Sequence, residues 1–351
     1  MPGAVAGTDQ TGPNDPTKRM ELSEDELVAA ITRVLSGEQP GVVLGLGDDA
    51  AVLEPSSGQQ ILTTDLLIEG VHFDPASIAP RDLGAKAITV NVSDVAAMGG
   101  SPRAAVASLV LRTDVEAAWV MELSAGMREA CAEYALSLVG GDTNRGPVLV
   151  VSVSLVGEVA PGRAVTRSGA RPGDHIAVTG SLGAAAGGFA ISRASASRIG
   201  EALSNPWGRE LVDAFERPVA RVGEGQVLAR SGATAMMDLS DGLAKDLHRL
   251  CAASGVGARL DLEAIPVAPA LRAAEGWLGA DPLQLAIGFG EDYELLATFA
   301  EEDVGRARED LDPFGVTLTV VGTIIEGSGV VAVDGDGVET PLEPRGWDHF
   351  S

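Results

Sequence analysis

The sequence predicts a two-domain α/β protein, and three observations support this fold class. The chain has 351 residues, which is enough for two domains of ordinary size. Segments with helical periodicity alternate with short apolar segments typical of strands along both halves of the chain. Between the halves, residues 157–173 are rich in glycine, proline and arginine, as linkers often are. We therefore expect a disordered tail over residues 1–20, an N-terminal domain over 21–160 and a C-terminal domain over 161–351.

The N-terminal half is predicted to contain both helices and strands. In order, they are a helix from Ser23, two strands over 41–53, a strand over 61–65, helices over 82–98 (capped by Asp82) and 115–136, and a strand over 148–156. Ser23 and Glu26 have the spacing of a capping box. The period of two in strands puts Ile61, Thr63 and Asp65 on one face.

The C-terminal half is predicted to form a second α/β unit. Its elements are strands over 176–179 and 233–237, a helix over 243–253, and strands over 295–299, 317–321 and 330–333. The glycines between Gly183 and Gly188 follow the first of these strands. They could cradle a phosphate, but close packing of a helix on a strand is favoured.

Composition limits the classes of function. The net charge of −25 argues against a nucleic-acid-binding protein, because such a protein needs a basic face. Since the chain has three lysines (Lys18, Lys86 and Lys245), arginine or metal ions must supply most of the positive charge to a phosphate ligand. No apolar run in the sequence reaches the length of a membrane span, so we expect no membrane partner. Cys131 and Cys251 lie apart, and no apolar secretory segment lies near the N-terminus, which favours a cytoplasmic location.

Aspartates beside apolar segments are the main indication of function. A carboxylate in such a place is costly unless it is paired or binds a cation. Such oxygen ligands, with Ser or Thr hydroxyls beside them, suit hard cations such as Mg²⁺. They occur in five stretches: Gly47–Ala50 with Asp48 and Asp49, Thr63–Asp65, Asn91–Asp94, Gly140–Thr143 with Asp142, and Asp238–Gly242 with Asp241. A set of Mg²⁺ ions is what a phosphoryl-transfer site needs.

Asp94 is the strongest single candidate for a metal ligand. It is the one charged residue between Ala87 and Met98, and it shares a helical face with Val90 and Asn91. The alternative is a buried carboxylate satisfied by a neighbouring cap or arginine. The recurrence of similar aspartates favours a metal ligand.

The other aspartates have structural alternatives that the sequence leaves open. Asp48 and Asp49 could form an exposed turn, and residues 140–143 could form a tight turn or approach a phosphate with their backbone. In the fifth stretch, Ser240 or Asp241 could cap the following helix. Asp238, at the end of a strand, is then left without a structural task.

Two further regions carry candidate ligand contacts. Arg167 lies in the predicted linker, where it could line an interdomain site or be a solvated arginine. Residues 290–295 place three carboxylates before a strand. Trp347 could dock the C-terminus or stack on a planar ring. The phosphate-loop, dinucleotide-binding and kinase catalytic-loop motifs are absent from the sequence.

Taken in order, eight segments resemble the thiamine-monophosphate kinase family. They are residues 47–52, 63–73, 89–100, 138–143, 163–174, 238–243, 290–296 and 346–350. The wider superfamily includes aminoimidazole ribonucleotide synthetase, and its members share two α/β domains with mixed or antiparallel sheets covered by helices. The resemblance implies a homodimer paired through the N-terminal domains. It also implies ATP-dependent phosphorylation of thiamine monophosphate to thiamine diphosphate, the last step of thiamine diphosphate biosynthesis.

The resemblance also implies roles for individual residues. The implied Mg²⁺ ligands are one or both of Asp48 and Asp49, then Thr63, Thr64, Asp65, Asp94, Asp142, Asp238 and Asp241. The implied ATP contacts are Gly141, Asp142, Arg167 and Ser240, and Tyr134 could lie near the nucleotide. The implied thiamine monophosphate contacts are His72, Glu291 and Trp347. Among all of these, Asp94, Asp142 and Asp238 are expected to be the most critical.

The implied chemistry needs no general base. The attacking phosphate has a second pKa of about 6 and is mostly dianionic at neutral pH. We expect direct in-line transfer assisted by several Mg²⁺ ions.

Two alternatives remain. Aminoimidazole ribonucleotide synthesis is the runner-up within the superfamily, whereas the selenophosphate and hydrogenase members are disfavoured because no cysteine lies near either terminus. A non-catalytic protein that binds divalent cations is the alternative from another class. Calcium loops, however, cluster their ligands within about a dozen residues.

Overall fold

The computed structural model describes residues 23–37, 39–46 and 50–347 of the chain. The expected tail over residues 1–20 and the candidate ligands Asp48 and Asp49 lie outside the described residues. In the described part, the first half forms a four-stranded sheet and the second half a seven-stranded sheet. No helix within these ranges is long and apolar enough to cross a membrane.

The first half alternates helices with strands. Its elements are α1 (Glu24–Leu35), β1 (Val42–Leu44), β2 (Val52–Leu53), β3 (Gln59–Ile68), α2 (Pro80–Ala97), β4 (Ser101–Leu111), α3 (Ala117–Glu133), β5 (Ser137–Arg145) and β6 (Val150–Val159). The predicted capping box of α1 is confirmed, because Ser23 Oγ accepts a hydrogen bond from Glu26 N while Ser23 N donates to the Glu26 carboxylate. β1 and β2 pair antiparallel, as predicted for residues 41–53. The four-stranded sheet has the order β3–β6–β4–β5, in which the β4–β5 pair is parallel and the other two pairs are antiparallel.

Helices α2 and α3 cross at close range over this sheet. A Cβ atom at Gly84 would lie 2.0 Å from the carbonyl oxygen of Leu123, and one at Gly126 would lie 1.8 Å from that of Arg81. Larger side chains are therefore excluded at both glycines. The helices and the inner face of the sheet share one apolar core.

One row of paired residues crosses the four-stranded sheet. Asp65 of β3 pairs with Val153 of β6, Val153 pairs with Ala107 of β4, and Ala107 pairs with Gly141 of β5. Because neighbouring strands lie roughly 4.8 Å apart, Asp65 and Gly141 are separated by about 14 Å across the sheet. The candidate ligands on β3 and β5 therefore lie at opposite edges.

The second half builds a larger mixed sheet. Its elements are β7 (His175–Thr179), α4 (Ala184–Ser192), α5 (Ala196–Leu203), α6 (Pro206–Glu216), α7 (Val222–Arg230), β8 (Ala235–Asp238), α8 (Leu243–Ser254), β9 (Gly257–Asp261), α9 (Pro269–Ala273), α10 (Glu275–Leu278), α11 (Pro282–Gly288), β10 (Leu295–Phe299), α12 (Glu301–Leu311), β11 (Leu318–Ile325), β12 (Gly329–Val333) and β13 (Glu339–Pro341). The strand order is β13–β12–β9–β11–β7–β10–β8, with β12 and β9 parallel. The predicted two-domain α/β fold with mixed sheets is confirmed.

One detail predicted for the first half is wrong, and one alternative that the sequence left open is excluded. Helix α2 begins at Pro80 with Ala79 as its N-cap, and not at Asp82, because proline fits the first helical position. Residues 140–143 do not form a tight turn, since they lie inside β5. Their pairing with β4 explains why glycines are needed there: a Cβ atom at Gly141 would lie 2.0 Å from the carbonyl oxygen of Ala107.

The predicted cap of helix α8 is also wrong. Its N-cap is Gly242, and no side chain caps the helix. Asp246, inside the first turn, accepts hydrogen bonds from the backbone N–H groups of Asp241 and Gly242 at 3.0 and 3.1 Å. The side chains of Ser240 and Asp241 are therefore not used as caps.

Helix α2 contacts both halves of the chain. A Cβ atom at Gly225 of α7 would lie 2.1 Å from the carbonyl oxygen of Ala96, so these two helices pack closely. Near the start of α2, Lys86 reaches the last turn of α6, and near its end Ser93 reaches the end of β8. This one helix therefore brings the candidate residues of the two halves together.

Candidate active site

Two cavities meet at Asp94 and Asp238, which line both of them. The larger, the His72 cavity, measures about 780 Å³, and its other lining residues include Thr64, Asp65, His72, Val90, Ser240, Asp241, Glu291, Tyr293 and Trp347. The smaller, the Arg167 cavity, measures about 460 Å³, and its other lining residues include Thr63, Thr166, Arg167, Ser168 and Met237. The two carboxylates thus separate a cavity rich in acidic and aromatic residues from one that contains an arginine.

Asp94 lies near the end of α2 and is partly buried. Thr63 Oγ1 of β3 donates a hydrogen bond to its Oδ2 atom. Burial raises the pKa of Asp94 above its ordinary value, while the bond from Thr63 and the charge of Arg167 oppose this shift. A partly desolvated carboxylate of this kind is stabilised by a nearby cation.

Asp238 ends β8 and is only 2% exposed. Burial, and to a smaller extent the negative charge of Asp94, raise its pKa to about 7. Ser93 Oγ donates a hydrogen bond of 2.7 Å to Asp238 Oδ2, which opposes the shift. Asp238 therefore does have a structural contact, contrary to the expectation from the sequence.

The side chains of β3 alternate as predicted. Thr63 and Asp65 point to the face that packs against α2, together with the buried Ile61. Burial raises the pKa of Asp65 to about 6, and the charge of Asp94 contributes to the shift. Thr64 leaves the strand on the opposite face, where its Oγ1 donates to the carbonyl oxygen of Val153 at 3.0 Å. The structure therefore brings Thr63 and Asp65 to Asp94, but not the hydroxyl of Thr64.

His72 lies in the turn after β3. Its Nδ1 accepts a hydrogen bond from the backbone N–H of Ile68 at 3.1 Å. An accepting Nδ1 carries no proton, so the neutral ring holds its proton on Nε2. In this tautomer, Nε2 is the hydrogen-bond donor of the ring.

Glu291 and Trp347 reach the same cavity from the second half of the chain. The Glu291 carboxylate forms an ion pair with Lys86 Nζ at 2.6 Å. The backbone N–H of Trp347 donates to the carbonyl oxygen of Asp241 at 3.0 Å, and Lys245 Nζ donates to the carbonyl oxygen of Trp347. The backbone of the C-terminal segment thus docks on the start of α8, while Trp347 also lines the cavity.

Asp241 differs from the other aspartates because it is already compensated. Its Oδ2 atom lies 2.5 Å from Arg249 Nη1 and 3.4 Å from Lys245 Nζ. Its neighbour Ser240 accepts a hydrogen bond from the backbone N–H of Glu291 at 2.9 Å. The segment around Asp241 is therefore bonded both to the loop over residues 290–294, which we call the acidic loop, and to the C-terminal segment.

Gly141 and Asp142 lie away from these two cavities. They line a third cavity of about 840 Å³ between α1, α3 and the β5 edge of the sheet, which we call the Asp142 groove. The Asp142 carboxylate accepts hydrogen bonds from Thr143 N at 2.9 Å and Asn144 Nδ2 at 2.8 Å. A single chain therefore does not bring Asp142 to Asp94.

The glycines after β7 allow close packing, but their neighbours belong to other helices and not to the strand that the sequence favoured. A Cβ atom at Gly183 would lie 2.6 Å from a methyl group of Leu271. The N-terminus of α4 is already bonded to a carboxylate, since Gly183 N donates to both oxygens of Asp292 at 2.8 and 2.9 Å. Burial raises the pKa of Asp292 to about 8. This helix end therefore holds a carboxylate of the chain itself where a phosphate could otherwise bind.

The cluster has the donor chemistry of a Mg²⁺ site. Asp65, Asp94 and Asp238 interact electrostatically, and the pKa of each is raised mainly by burial. Within the described ranges, no three histidine, cysteine or carboxylate side chains converge closely enough to hold a metal ion as they stand. Asp48 and Asp49, which the family resemblance implies in the same ligand set, are outside those ranges.

The contacts of three charged residues of this region were not predicted, although Asp292 was noted as one of the carboxylates before a strand. Lys86 pairs with Glu291, Asp246 accepts from the loop before α8, and Asp292 accepts from the start of α4. A signal was present for Lys86, which is a lone cation in an otherwise apolar helical segment. The partners of Lys86 and Asp292 lie too far away in the sequence for spacing to reveal them, whereas those of Asp246 are four and five residues away.

Two domain models match most of the chain. The model described as AIR synthase related protein, N-terminal domain, matches residues 47–159, and its C-terminal counterpart matches residues 171–335. The thiamine-monophosphate kinase of Escherichia coli (strain K12) is 38% identical over 334 residues, which cover 95% of this chain and 99% of that protein.

Solved structures of the same kind are also similar. The thiamine-monophosphate kinase from Stenotrophomonas maltophilia K279a has a TM-score of 0.76 and 33% identity, with 92% of this chain and 99% of that chain covered. AaThiL complexed with AMPPCP and TMP has a TM-score of 0.73 and 36% identity, with 94% and 98% covered.

Proposed function

This chain belongs to the thiamine-monophosphate kinase family, and we propose that it transfers the γ-phosphoryl group of ATP to thiamine monophosphate, giving ADP and thiamine diphosphate. The relative complexed with AMPPCP and TMP supports a site for a nucleotide and a site for an acceptor. The reaction would be the last step of thiamine diphosphate biosynthesis.

The observation that carries this proposal is the position of Asp94 and Asp238 between two cavities. The nucleotide would occupy the Arg167 cavity and the acceptor the His72 cavity, so that the two phosphates meet at the carboxylates. Sites on opposite sides of the reacting group favour in-line displacement, because the attacking and leaving oxygens then lie on opposite sides. Arg167 would donate charge-assisted hydrogen bonds to the nucleotide. Ser240, the other proposed nucleotide contact nearby, lies two residues after Asp238 and lines the His72 cavity, so it would contact the nucleotide only where the two cavities meet.

We propose that Asp65, Asp94 and Asp238, with the hydroxyl of Thr63, hold Mg²⁺ at this junction. Their buried, mutually repelling carboxylates are stabilised by a divalent cation more than by water. Bound Mg²⁺ neutralises the charge that develops on the transferring phosphoryl group. The further ligands Asp48, Asp49, Thr64 and Asp241 stay proposals from the family resemblance.

The proposed acceptor contacts are His72, Glu291 and Trp347. The Nε2–H group of His72 would donate to phosphate, the Glu291 carboxylate would accept from the thiamine moiety, and Trp347 offers a surface for an aromatic ring. Because the acceptor phosphate is already mostly dianionic at neutral pH, no residue needs to remove a proton from it. We therefore propose direct transfer without a phosphoenzyme.

We also propose that the enzyme is a homodimer whose N-terminal sheets face each other. On the side away from α2, β3 exposes 76% of Leu62 and 45% of Leu66, and β4 exposes 41% of Val106. Large apolar side chains exposed on one face of a sheet support an interface on that face. A partner chain is also the proposed source of Asp142, which lies at the sheet edge opposite Asp65 of its own chain.

A cytoplasmic location is proposed as well. Cys131 and Cys251 are both buried and unpaired, as is usual in a reducing compartment.

The test of the function is formation of thiamine diphosphate from ATP and thiamine monophosphate, with and without Mg²⁺. Free thiamine is the control acceptor, because it lacks the phosphate nucleophile. We expect Mg²⁺-dependent product from the monophosphate and none from thiamine. An enzyme that binds ATP but makes no product would overturn the proposal, and aminoimidazole ribonucleotide precursors would then be the next acceptors to test.

A further inference from the structure

Lys86 is a buried cation at the boundary between the two halves of the chain. It is 1% exposed. Its Nζ atom donates to the carbonyl oxygen of Phe215 at 2.8 Å and to Glu291 Oε2 at 2.6 Å, and it lies 3.8 Å from the centroid of the Phe215 ring. A buried ammonium carries a large desolvation penalty. The phosphoryl-transfer chemistry described above does not use it, so its presence calls for a different role.

The acidic loop that contains Glu291 has an unfavourable backbone. Glu291 has a φ of +57° and Tyr293 a φ of +50°, in the left-handed region that residues with side chains seldom adopt. Hydrogen bonds from Glu291 N to Ser240 O and from Tyr293 N to Leu239 O hold this conformation at 2.9 and 3.0 Å. The loop is therefore bonded to the segment that begins with Asp238.

These backbone bonds fix the loop but not the end of the Glu291 side chain. Among the described residues, Lys86 is the hydrogen-bond donor to its carboxylate, through Oε2. The side chain is 20% exposed and lines the His72 cavity, which leaves Oε1 available to a ligand. A glutamate side chain without such a bond samples several rotamers, and ordering it costs conformational entropy. The ion pair with Lys86 restricts these rotamers and so determines where Oε1 lies.

Lys86 and Asp94 belong to the same rigid element. They are eight residues apart in α2, which corresponds to about 12 Å along the helix axis. Val90, between them, lines the His72 cavity. One helix thus sets the positions of two carboxylates that line this cavity, Glu291 through Lys86 and Asp94 directly.

We propose that Lys86 is a positioning residue for the acceptor substrate. It holds the Glu291 carboxylate in the His72 cavity, where Oε1 accepts a hydrogen bond from the amino group, or faces the cationic ring, of the thiamine moiety. Lys86 acts through Glu291 and does not itself touch the substrate. It also balances the charge of Glu291, so that this carboxylate binds the acceptor while the neighbouring aspartates bind cations. The inference rests on the proposed function.

A double-mutant cycle separates this role from a merely structural one. The variants are Lys86→Met, Glu291→Gln and the two combined, each assayed for kcat and for the KM of thiamine monophosphate and of ATP. Lys86→Arg tests rescue by a retained charge. Arg259→Met is the matched control, because it removes a cation from an exposed ion pair with Glu339.

We expect Lys86→Met to raise the acceptor KM roughly ten- to hundred-fold, with a smaller fall in kcat and an ATP KM within about two-fold of the parent. Lys86→Arg should restore most of the acceptor KM. In the presence of Glu291→Gln, Lys86→Met should add little, because its effect passes through that carboxylate. Arg259→Met should change neither KM.

The outcomes that overturn the inference are distinct from those that overturn the function. A parent enzyme that makes no thiamine diphosphate removes both. If the parent enzyme does make thiamine diphosphate, two results overturn the inference alone. In the first, Lys86→Met raises the KM of ATP as much as that of the acceptor. In the second, Lys86→Met has its full effect in the presence of Glu291→Gln. Should Lys86→Met not fold, Lys86→Gln, which also removes the charge, replaces it in the same cycle: a shift in acceptor KM that depends on Glu291 supports the inference, and an independent or absent shift overturns it.

Discussion

Ser93 Oγ donates a hydrogen bond of 2.7 Å to Asp238 Oδ2, and this bond joins helix α2 to the end of strand β8. Both residues are buried, with 0% and 2% of their surface exposed. Because Asp94 follows Ser93 directly, the bond sets how the two carboxylates that line both cavities face each other. Ser93 therefore aligns Asp94 of the first half with Asp238 of the second half, and it needs no contact with substrate to do so.

Replacing Ser93 by alanine should weaken both the fold and the metal site. Loss of this buried, charge-assisted bond should lower the free energy of unfolding by about 1–3 kcal/mol. The Mg²⁺ concentration for half-maximal activity should rise several-fold, because Asp238 is no longer held. Urea unfolding and a Mg²⁺ titration of activity measure the two effects. Ser204→Ala is the control, since its exposed hydroxyl bonds only a helix carbonyl; an unchanged Mg²⁺ dependence in Ser93→Ala contradicts the prediction.

Asp94→Asn should remove activity without unfolding the protein. The amide has the size of the carboxylate but lacks the negative charge that a cation needs. We expect kcat to fall by more than roughly 100-fold, beyond the range for lost outer-shell support. Steady-state kinetics and thermal unfolding measure this, with the exposed Asp336→Asn as control. Near-parental turnover, or a variant that does not fold, would return Asp94 to a purely structural role.

Mixtures of two inactive variants test whether a partner chain completes the site. Asp94→Asn and Asp142→Asn are each expected to be inactive as homodimers. If one chain supplies Asp94 and its partner supplies Asp142, random reassociation after mild denaturation leaves one intact site in half of the dimers. Activity should then recover to about a quarter of the parental value. No recovery, in dimers shown by native mass spectrometry to be mixed, places both residues in a site of one chain.

Glu216 should make stability depend on pH. Burial, and to a smaller extent the charge of Asp82, raise the pKa of Glu216 to about 7 against an opposing effect of Lys86. Because its pKa in the folded protein lies above the ordinary value of 4.5, the contribution of Glu216 to the free energy of unfolding declines as pH rises from 4.5 to about 7 and then stays constant.

The variant that checks this is Glu216→Gln, which cannot ionise. Its stability relative to the parent should be highest above pH 7 and should fall towards its minimum below pH 4.5. Urea midpoints of both proteins at pH 4.5 and pH 8 provide the measurement. A difference that is the same at both pH values would show that Glu216 does not titrate in this window.

Local patterns were sufficient to predict much of the secondary structure. The capping box at Ser23 and Glu26 and the strand Leu295–Phe299 were both predicted, because capping and apolar runs involve neighbouring residues. The start of α2 was placed two residues late, at Asp82, since an acidic residue and a proline both suit a helix N-terminus. Residues 140–143 were open to a tight turn because glycine pairs occur both in turns and where two strands approach closely.

In the candidate site, too, features that depend on neighbouring residues were predicted and contacts between distant residues were not. An aspartate beside apolar residues is visible in the sequence, and Asp65, Asp94 and Asp238 do lie around one junction. The positive partners were not visible. Lys86 and Glu291 are 205 residues apart, so no periodicity links them.

By itself, the sequence determined which chemical groups this protein offers, namely many acidic oxygen ligands and few lysines. It also determined the α/β fold class, and its motifs, taken in order, identify the family. Tertiary structure alone decided which of these groups share a cavity. Asp94 and Asp238 meet because α2 packs against β8, whereas Asp142 stays at the far edge of its sheet. The physical reason is that helical and strand periods record which side of an element is buried, while the distance between two elements depends on packing and strand order.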